Sequence, residues 1–217
     1  MPRDFDNQLS VTSVFKGIFD RIISAICLVI LSPVLLFVSF LIALEDGRPV
    51  LFTQHRLGKE GHTFRMYKFR TMKFGSDQSH VLNPDGSLKT FEDDPRITRL
   101  GKILRRYSLD ELPQLINVLK GEMSLVGPRP DLPFQLEFYT EEERRKLSVK
   151  PGMTGLAQIS GRNTLPWKER IHLDIEYVDR MSLWFDLKIM VRTMAKVIIK
   201  EGIYAESVEP HRRSNAS

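Results

Sequence analysis

Residues 22–44 read IISAICLVILSPVLLFVSFLIAL, 23 positions without a charge. As a straight helix they extend roughly 35 Å, enough to cross a hydrocarbon core of roughly 30 Å. The run is too long for a signal-peptide core, and no small-residue cleavage site accompanies it, so it is expected to be retained in the membrane. Ser32-Pro33 falls almost at its centre, where proline removes a backbone hydrogen bond and clashes with the carbonyl four residues back, so a kink is expected. Lys16 and Arg21 precede the run, and Arg48, Arg56 and Lys59 follow it. Flanks that are basic on both sides give no positive-inside asymmetry. Hydropathy alone describes an ordinary spanning helix equally well, but the proline and the balanced flanks favour a bent helix that enters and leaves by the cytoplasmic face.

The other residues bound what this helix is attached to. A chain of 217 residues, 42% hydrophobic, builds one cored domain with an appendage. Net charge +5 and a pI near 9.3 suit anionic lipid, nucleotide phosphates or nucleic acid alike. Cys27 is the only cysteine, which excludes a disulfide framework or a zinc cluster, and the five histidines show no metal-ligand spacing. Residues 49–72 hold two β-prone runs around the Gly58-Lys59-Glu60-Gly61 turn, which predicts a hairpin that brings Gln54 near Lys68. A polar loop spans 75–94, and Asp94-Pro95 predicts a helix start. A second helix is expected from Ser108 to Gly121, and an amphipathic piece over 133–146. The segment 151–163 is a glycine-punctuated loop. A last helix over 183–201 carries Lys188, Arg192, Lys196 and Lys200 at four-residue spacing beside an apolar face, a pattern that fits a membrane surface. The expected organisation is a flexible terminus at 1–14, the membrane helix at 15–47, a catalytic domain at 48–204 and a tail at 205–217. The fold class is α+β, mainly helical, with a small hairpin and interfacial amphipathic helices.

Ser108-Leu-Asp110-Glu111-Leu-Pro-Gln114 has two readings. Ser-x-x-Glu is a capping box, in which Ser108 bonds the Glu111 amide, Glu111 reaches back and Asp110 favours the helix dipole. Alternatively, two adjacent carboxylates beside Arg105 and Arg106, at a helix end that attracts phosphate, place a nucleophile and a phosphoryl group in one site. Arg129, between Pro128 and Pro130, sits in a turn that fixes backbone direction and could aim a guanidinium at phosphate oxygens. Arg105, Lys68, Arg70, Lys150 and Arg162 are further anion-binding candidates; taken alone, Arg129 reads equally as a surface arginine in a rigid turn, and Lys68, Arg70, Lys150 and Arg162 read sooner as surface residues. The chain lacks a recognisable nucleic-acid-binding motif.

Four motifs in order, FDRIISAICLVILSP, GRPVLFTQHRLGKEGHTFRMYKFRTM, RLGKILRRYSLDELPQLINVLKGEMSLVGPRP and KPGMTGLAQISGRN, closely resemble the small monotopic phosphoglycosyl transferases over residues 15–204. These bacterial enzymes prime polysaccharide and glycoconjugate assembly. The resemblance implies a re-entrant helix broken at Ser32-Pro33, a catalytic domain on the cytoplasmic face of the bacterial inner membrane, and an Asp110-Glu111 dyad. It also implies transfer of a sugar 1-phosphate from a UDP-sugar to polyprenyl phosphate, with release of UMP. Transfer would be ping-pong through a phosphosugar on Asp110, with Glu111 assisting and magnesium held by Asp110 or Glu111. Arg105, Arg129, Pro128, Lys68, Arg162 and Lys150 are the expected substrate-binding residues. Relatives often carry Lys-Arg before the membrane helix, whereas this chain has Lys16-Gly17. The rival reading is a non-catalytic membrane-anchored interaction module in which SLDE merely caps a helix. Oligomeric state and the identity of the sugar are left open by the residues.

Overall fold

The computed structural model describes residues 2–76, 82–88, 94–161 and 164–199, of which 2–12 and 197–199 are described by backbone alone. Helix α1 runs from Pro2 to Asp46 and so begins ahead of the start expected near residue 15. Pro33 lies inside it and has no N–H to offer the Val29 carbonyl. The Ser32 hydroxyl donates to that carbonyl instead, at 2.8 Å. The Ser-Pro pair thus satisfies its own backbone defect, as a lipid environment requires. Most of the circumference of α1 is uncovered, with Val29 74% and Leu36 71% exposed and Phe15, Phe37 and Phe40 beside them. A continuous apolar face of this size is built to meet a membrane or another protein rather than water.

The narrow side of α1 that does face protein is polar at one end and apolar at the other. Lys16, Asp20 and Ser24, one turn apart, are all buried. Lys16 Nζ donates to Asp186 Oδ2 at 2.5 Å and lies 3.5 Å from Asp20. The Ser124 hydroxyl is 2.6 Å from Asp20 and 2.8 Å from the Val126 carbonyl, and the Tyr177 hydroxyl joins Asp186, 2.7 Å away, to that same carbonyl at 3.1 Å. Lys16, read from the sequence as a charge flanking the apolar run, is only 6% exposed and belongs to this cluster. At the other end Val38 and Ile42 pack with Phe69 and Leu104.

After α1, strands β1 (Leu51–Leu57) and β2 (Thr63–Phe69) form the expected antiparallel hairpin. Gln54 pairs with Met66 and Phe52 with Lys68, so Gln54 and Lys68 are diagonal neighbours. The free edge of β2 is closed by Asn117. Its amide accepts from Tyr67 N at 3.0 Å and donates to Arg65 O at 2.7 Å, standing in for a third strand.

Helix α2 spans Arg99–Arg106 and α3 spans Gln114–Lys120. Both start later than expected. Thr98, not Asp94, caps α2, accepting from Gly101 N at 2.9 Å. Asp94 is used instead by Arg96, while Ile97 bridges Met72 and the Thr98 amide donates to Thr71 O, so tertiary pairing claims the backbone a helix would need. Ser108 takes left-handed backbone with φ 55° and its hydroxyl caps nothing. Leu109–Glu111 is a single 3-10 turn, and α3 begins only beyond Pro113. The capping-box helix over 108–121 is therefore replaced by a turn and a shorter helix. The amphipathic piece over 133–146 resolves into two 3-10 segments, Pro133–Phe138 and Glu143–Ser148.

Two short strands, β3 (Ser124–Val126) and β4 (Gly152–Thr154), pair in parallel and lay the Gly127-Pro-Arg-Pro loop against the Pro151-Gly152 loop. The backbones approach so closely that a Cβ on Gly152 would stand 2.1 Å from Gly127 N, which is why both loops carry glycine there. Helices α4 (Leu156–Ser160), α5 (Trp167–Arg180) and α6 (Leu183–Ile199) complete the fold. Val126, Leu156, Ile159, Tyr177 and Ile189 form their shared core. Lys200 and the tail at 205–217 lie outside the described residues.

Replacing Lys16 by Met would leave Asp186 and Asp20 buried without their cation. A destabilisation of about 3–5 kcal/mol is expected, since removing one partner strands the other's charge. Chemical denaturation in detergent, followed by tryptophan fluorescence, measures it; a midpoint equal to wild type would contradict this account of α1 docking.

Candidate active site

Two distant segments converge on Glu111. Lys68 Nζ, from β2, donates to Glu111 Oε1 at 2.9 Å, and Arg129 Nη2, from the loop after β3, donates to the same oxygen at 3.0 Å. These two long-range pairs explain why Glu111 does not reach back to cap Ser108. Burial alone would raise the Glu111 pKa, but Arg129 and Lys68 outweigh it and hold the group well below the usual carboxylate range.

Asp110, one residue earlier in the same turn, is in the opposite situation. It is buried, yet no donor among the described residues hydrogen-bonds its carboxylate. Burial pushes its pKa upward, Lys68 pulls it down, and the negative charge of Glu111 adds to the rise. Adjacent carboxylates in one turn thus divide: Glu111 is committed to two cations and ionised, and Asp110 is unengaged and proton-sensitive.

Further cations surround the pair. Arg105 Nε donates to Thr71 Oγ1 at 2.9 Å, which aims the last turn of α2 at the dyad, and its charge bears on Asp110. Arg106 is exposed. Arg56, read from the sequence only as a flanking charge, is drawn in from β1 and donates to Pro130 O at 3.2 Å and Gln54 Oε1 at 2.7 Å. Burial and the neighbouring Arg129 lower its pKa to about 10. Lys68, Arg129, Arg105 and Arg56 thus stand around the two carboxylates, with Asp131 acting on Arg56 and Arg129, a setting that could receive an anionic group.

The other expected residues fall as follows. Pro128 is buried and its carbonyl accepts from Gly152 N at 2.8 Å, which ties the loop to β4. Lys150 sits among Arg21, Asp20 and Lys16 beside α1. Burial lowers its pKa, with Arg21 next in effect. Arg70 is not at the dyad either: it donates to Pro49 O at 2.7 Å and pairs with Asp46, closing the end of α1. Arg162 lies outside the described residues. The sequence reading missed Asp131, Lys146 and Asp174, which support the Arg129 loop from behind. Only Asp131, directly after the Pro-Arg-Pro turn, gave a local signal.

A family model described as bacterial sugar transferase matches residues 11–200. The chain belongs to the bacterial sugar transferases. This sugar transferase is 45% identical over 190 residues to the sugar transferase EpsL of Bacillus subtilis, covering 88% of this chain and 90% of that one. It is 40% identical over 198 residues to the undecaprenyl-phosphate galactose phosphotransferase of Salmonella typhimurium, covering 87% of this chain and 41% of that one. It is 39% identical over 209 residues to the UDP-glucose:undecaprenyl-phosphate glucose-1-phosphate transferase of Escherichia coli, covering 92% of this chain and 44% of that one. The sugar transferase therefore spans nearly all of EpsL and less than half of the two longer proteins.

Glu111→Gln should lower the Asp110 pKa, because it removes a negative neighbour and frees Lys68 and Arg129 to act on Asp110. A carboxyl ¹³C titration of labelled Asp110 would then show a midpoint displaced to lower pH. An unchanged or raised midpoint would mean that the two carboxylates do not interact.

Proposed function

We propose that this sugar transferase moves a sugar 1-phosphate from a UDP-sugar to undecaprenyl phosphate and so begins assembly of a polysaccharide or glycoconjugate, with residues 48–204 as the catalytic unit. The observation that carries this reading is the division of labour in the dyad: Asp110 has no hydrogen-bonding partner among the described residues, while Glu111 binds both Lys68 and Arg129. The names borne by the Salmonella and Escherichia coli relatives supply the donor and acceptor classes. The interaction-module alternative needs SLDE to act as a cap, and Ser108 and Glu111 do not cap a helix.

In the proposed first step an Asp110 carboxylate oxygen attacks the phosphorus that bears the sugar. The bond from that phosphorus to the bridging oxygen breaks, and UMP departs with the electron pair. In the second step a phosphate oxygen of the lipid carrier attacks the same phosphorus and displaces Asp110, which is regenerated. Lys68, Arg105 and Arg129 would hold the diphosphate oxygens, offsetting repulsion between two anionic reactants. Magnesium suits this donor set: it takes one or two carboxylates and completes its shell with substrate phosphate, and Asp110 presents an unengaged carboxylate beside Glu111. Bound by Asp110 or Glu111, it would neutralise diphosphate charge.

The membrane arrangement belongs to the same reading. A re-entrant α1, with the catalytic unit on the cytoplasmic face of the inner membrane, is supported by both arms of α1 packing on one body. Ser24 bonds the Leu115 carbonyl at 2.6 Å and Ile42 packs with Phe69, while most of the apolar residues between them are uncovered. Helix α6 would lie along the lipid surface, its exposed Trp184, Leu187, Val191 and Met194 facing acyl chains and Lys188 and Arg192 facing headgroups.

Two measurements test these proposals. Purified protein given magnesium, a UDP-sugar panel and no acceptor should gain the mass of one phosphosugar with the correct donor. Asp110→Asn should abolish that adduct and slow UMP release by about three orders of magnitude or more; an adduct surviving in the variant removes Asp110 as nucleophile. Separately, Trp184→Glu with Val191→Glu should weaken binding of the protein to anionic vesicles while leaving thermal unfolding unchanged. Undiminished binding would take α6 off the membrane.

A further inference from the structure

Among the described residues, Arg129 is the one dyad partner delivered by an irregular loop, and its backbone is held by a group with no place in the chemistry above. Lys146 is 3% exposed and lies in the 3-10 segment Glu143–Ser148. Its ammonium has three donors, and three acceptors surround it: Asp131 Oδ2 at 2.8 Å, Asp174 Oδ2 at 2.7 Å and the Arg129 carbonyl at 3.3 Å. The Tyr139 hydroxyl donates to Asp131 from the next segment. Asp131 follows the Pro-Arg-Pro turn directly, and its own carbonyl accepts from Leu57 N at 2.9 Å, which ties the same loop to β1.

Placing two carboxylates on one ammonium inside the protein is not the cheapest way to pin a loop. A buried charged triad costs several kcal/mol of desolvation, and well-packed apolar residues commonly match its stability. What the triad adds is direction. A point charge held by two fixed carboxylates fixes where the third acceptor, the Arg129 carbonyl, can sit. The chain enters this turn through Gly127 and Pro128, packed against Gly152, and leaves it through Pro130. With the prolines limiting φ on either side, holding the carbonyl of Arg129 leaves little freedom in the direction of its side chain. That side chain meets Glu111 at 3.0 Å with 42% of its surface still exposed, so one part is anchored and another is open to a ligand.

We propose that Lys146, clasped by Asp131 and Asp174, is a positioning residue that acts through Arg129 to pre-aim its guanidinium at the diphosphate of the nucleotide. The inference rests on the reading of Arg129 as a diphosphate ligand, but it concerns binding and not transfer. The brace works from behind the loop, and none of its three members touches the substrate.

The test is a double-mutant cycle read as UDP affinity by titration calorimetry, with magnesium present and thermal unfolding recorded for every variant. Lys146→Met should weaken UDP binding about tenfold or more in the wild-type background. In an Arg129→Ala background, where nothing is left to aim, it should change affinity less than about twofold. Equal losses in both backgrounds would show that Lys146 supports the fold generally and would overturn the proposal, as would wild-type affinity in a folded Lys146→Met. If Lys146→Met fails to unfold cooperatively, Lys146→Met with Asp174→Asn removes one charge of each sign and carries the same expectations. Protein that binds UDP with this coupling yet never releases UMP from any UDP-sugar would refute the transfer reaction while leaving the brace established.

Discussion

Glu111 Oε1 is the atom on which the arrangement of the site turns, because it receives Lys68 from the hairpin and Arg129 from the loop between β3 and the 3-10 segment Pro133–Phe138. Two stretches distant in sequence are drawn to one carboxylate oxygen. The cost of placing that carboxylate in a protected site is offset by two cations, so Glu111 stays ionised. Its commitment leaves Asp110 as the carboxylate with nothing to hold. The chemistry proposed for this sugar transferase follows from that asymmetry more than from either residue alone.

Two buried clusters of the same make-up then hold the Arg129 loop at its ends. On the side of α1, Lys16 stands between Asp20 and Asp186, and Tyr177 links Asp186 to the Val126 carbonyl. On the side of α5, Lys146 stands between Asp131 and Asp174, with Tyr139 bonded to Asp131. Burial acts on each set and the shared lysine resolves it unevenly. Asp174 is pushed up to about 6, chiefly by burial, whereas Asp131 is held low by Lys146. The first cluster also joins the apolar helix to the body that carries the dyad, so seating of α1 and geometry of the loop share hydrogen bonds.

Much of the site was legible in the chain because its residues lie in short contiguous motifs. Asp110, Glu111, Arg105, Lys68 and Arg129 were singled out from local context and assigned to a site by the family resemblance, and the hairpin followed from its glycine-bounded turn. The errors have one origin. Ser108–Glu111 has the spacing of a capping box, and Asp94-Pro95 that of a helix start, yet in both places partners from distant segments took the groups that local structure would have used. Lys146 and Asp174 were passed over because each sits in a stretch that reads as ordinary amphipathic surface. Lys16 was counted only as a basic flank of the apolar run, whereas two aspartates draw it inward.

By itself the sequence determined the existence of a long apolar helix that contains Ser32-Pro33, the hairpin, and the adjacent carboxylates Asp110 and Glu111 with basic residues near them in the chain. These rest on hydrophobicity, turn chemistry and adjacency, which act over a few residues. Only the tertiary structure decided which carboxylate is engaged, that Arg56 stands beside Arg129, that Arg70 and Lys150 are held elsewhere, and that Lys146 lies buried between Asp131, Asp174 and the Arg129 carbonyl. Those outcomes are set by charge pairing under burial, whose strength depends on distances between segments that no local pattern encodes.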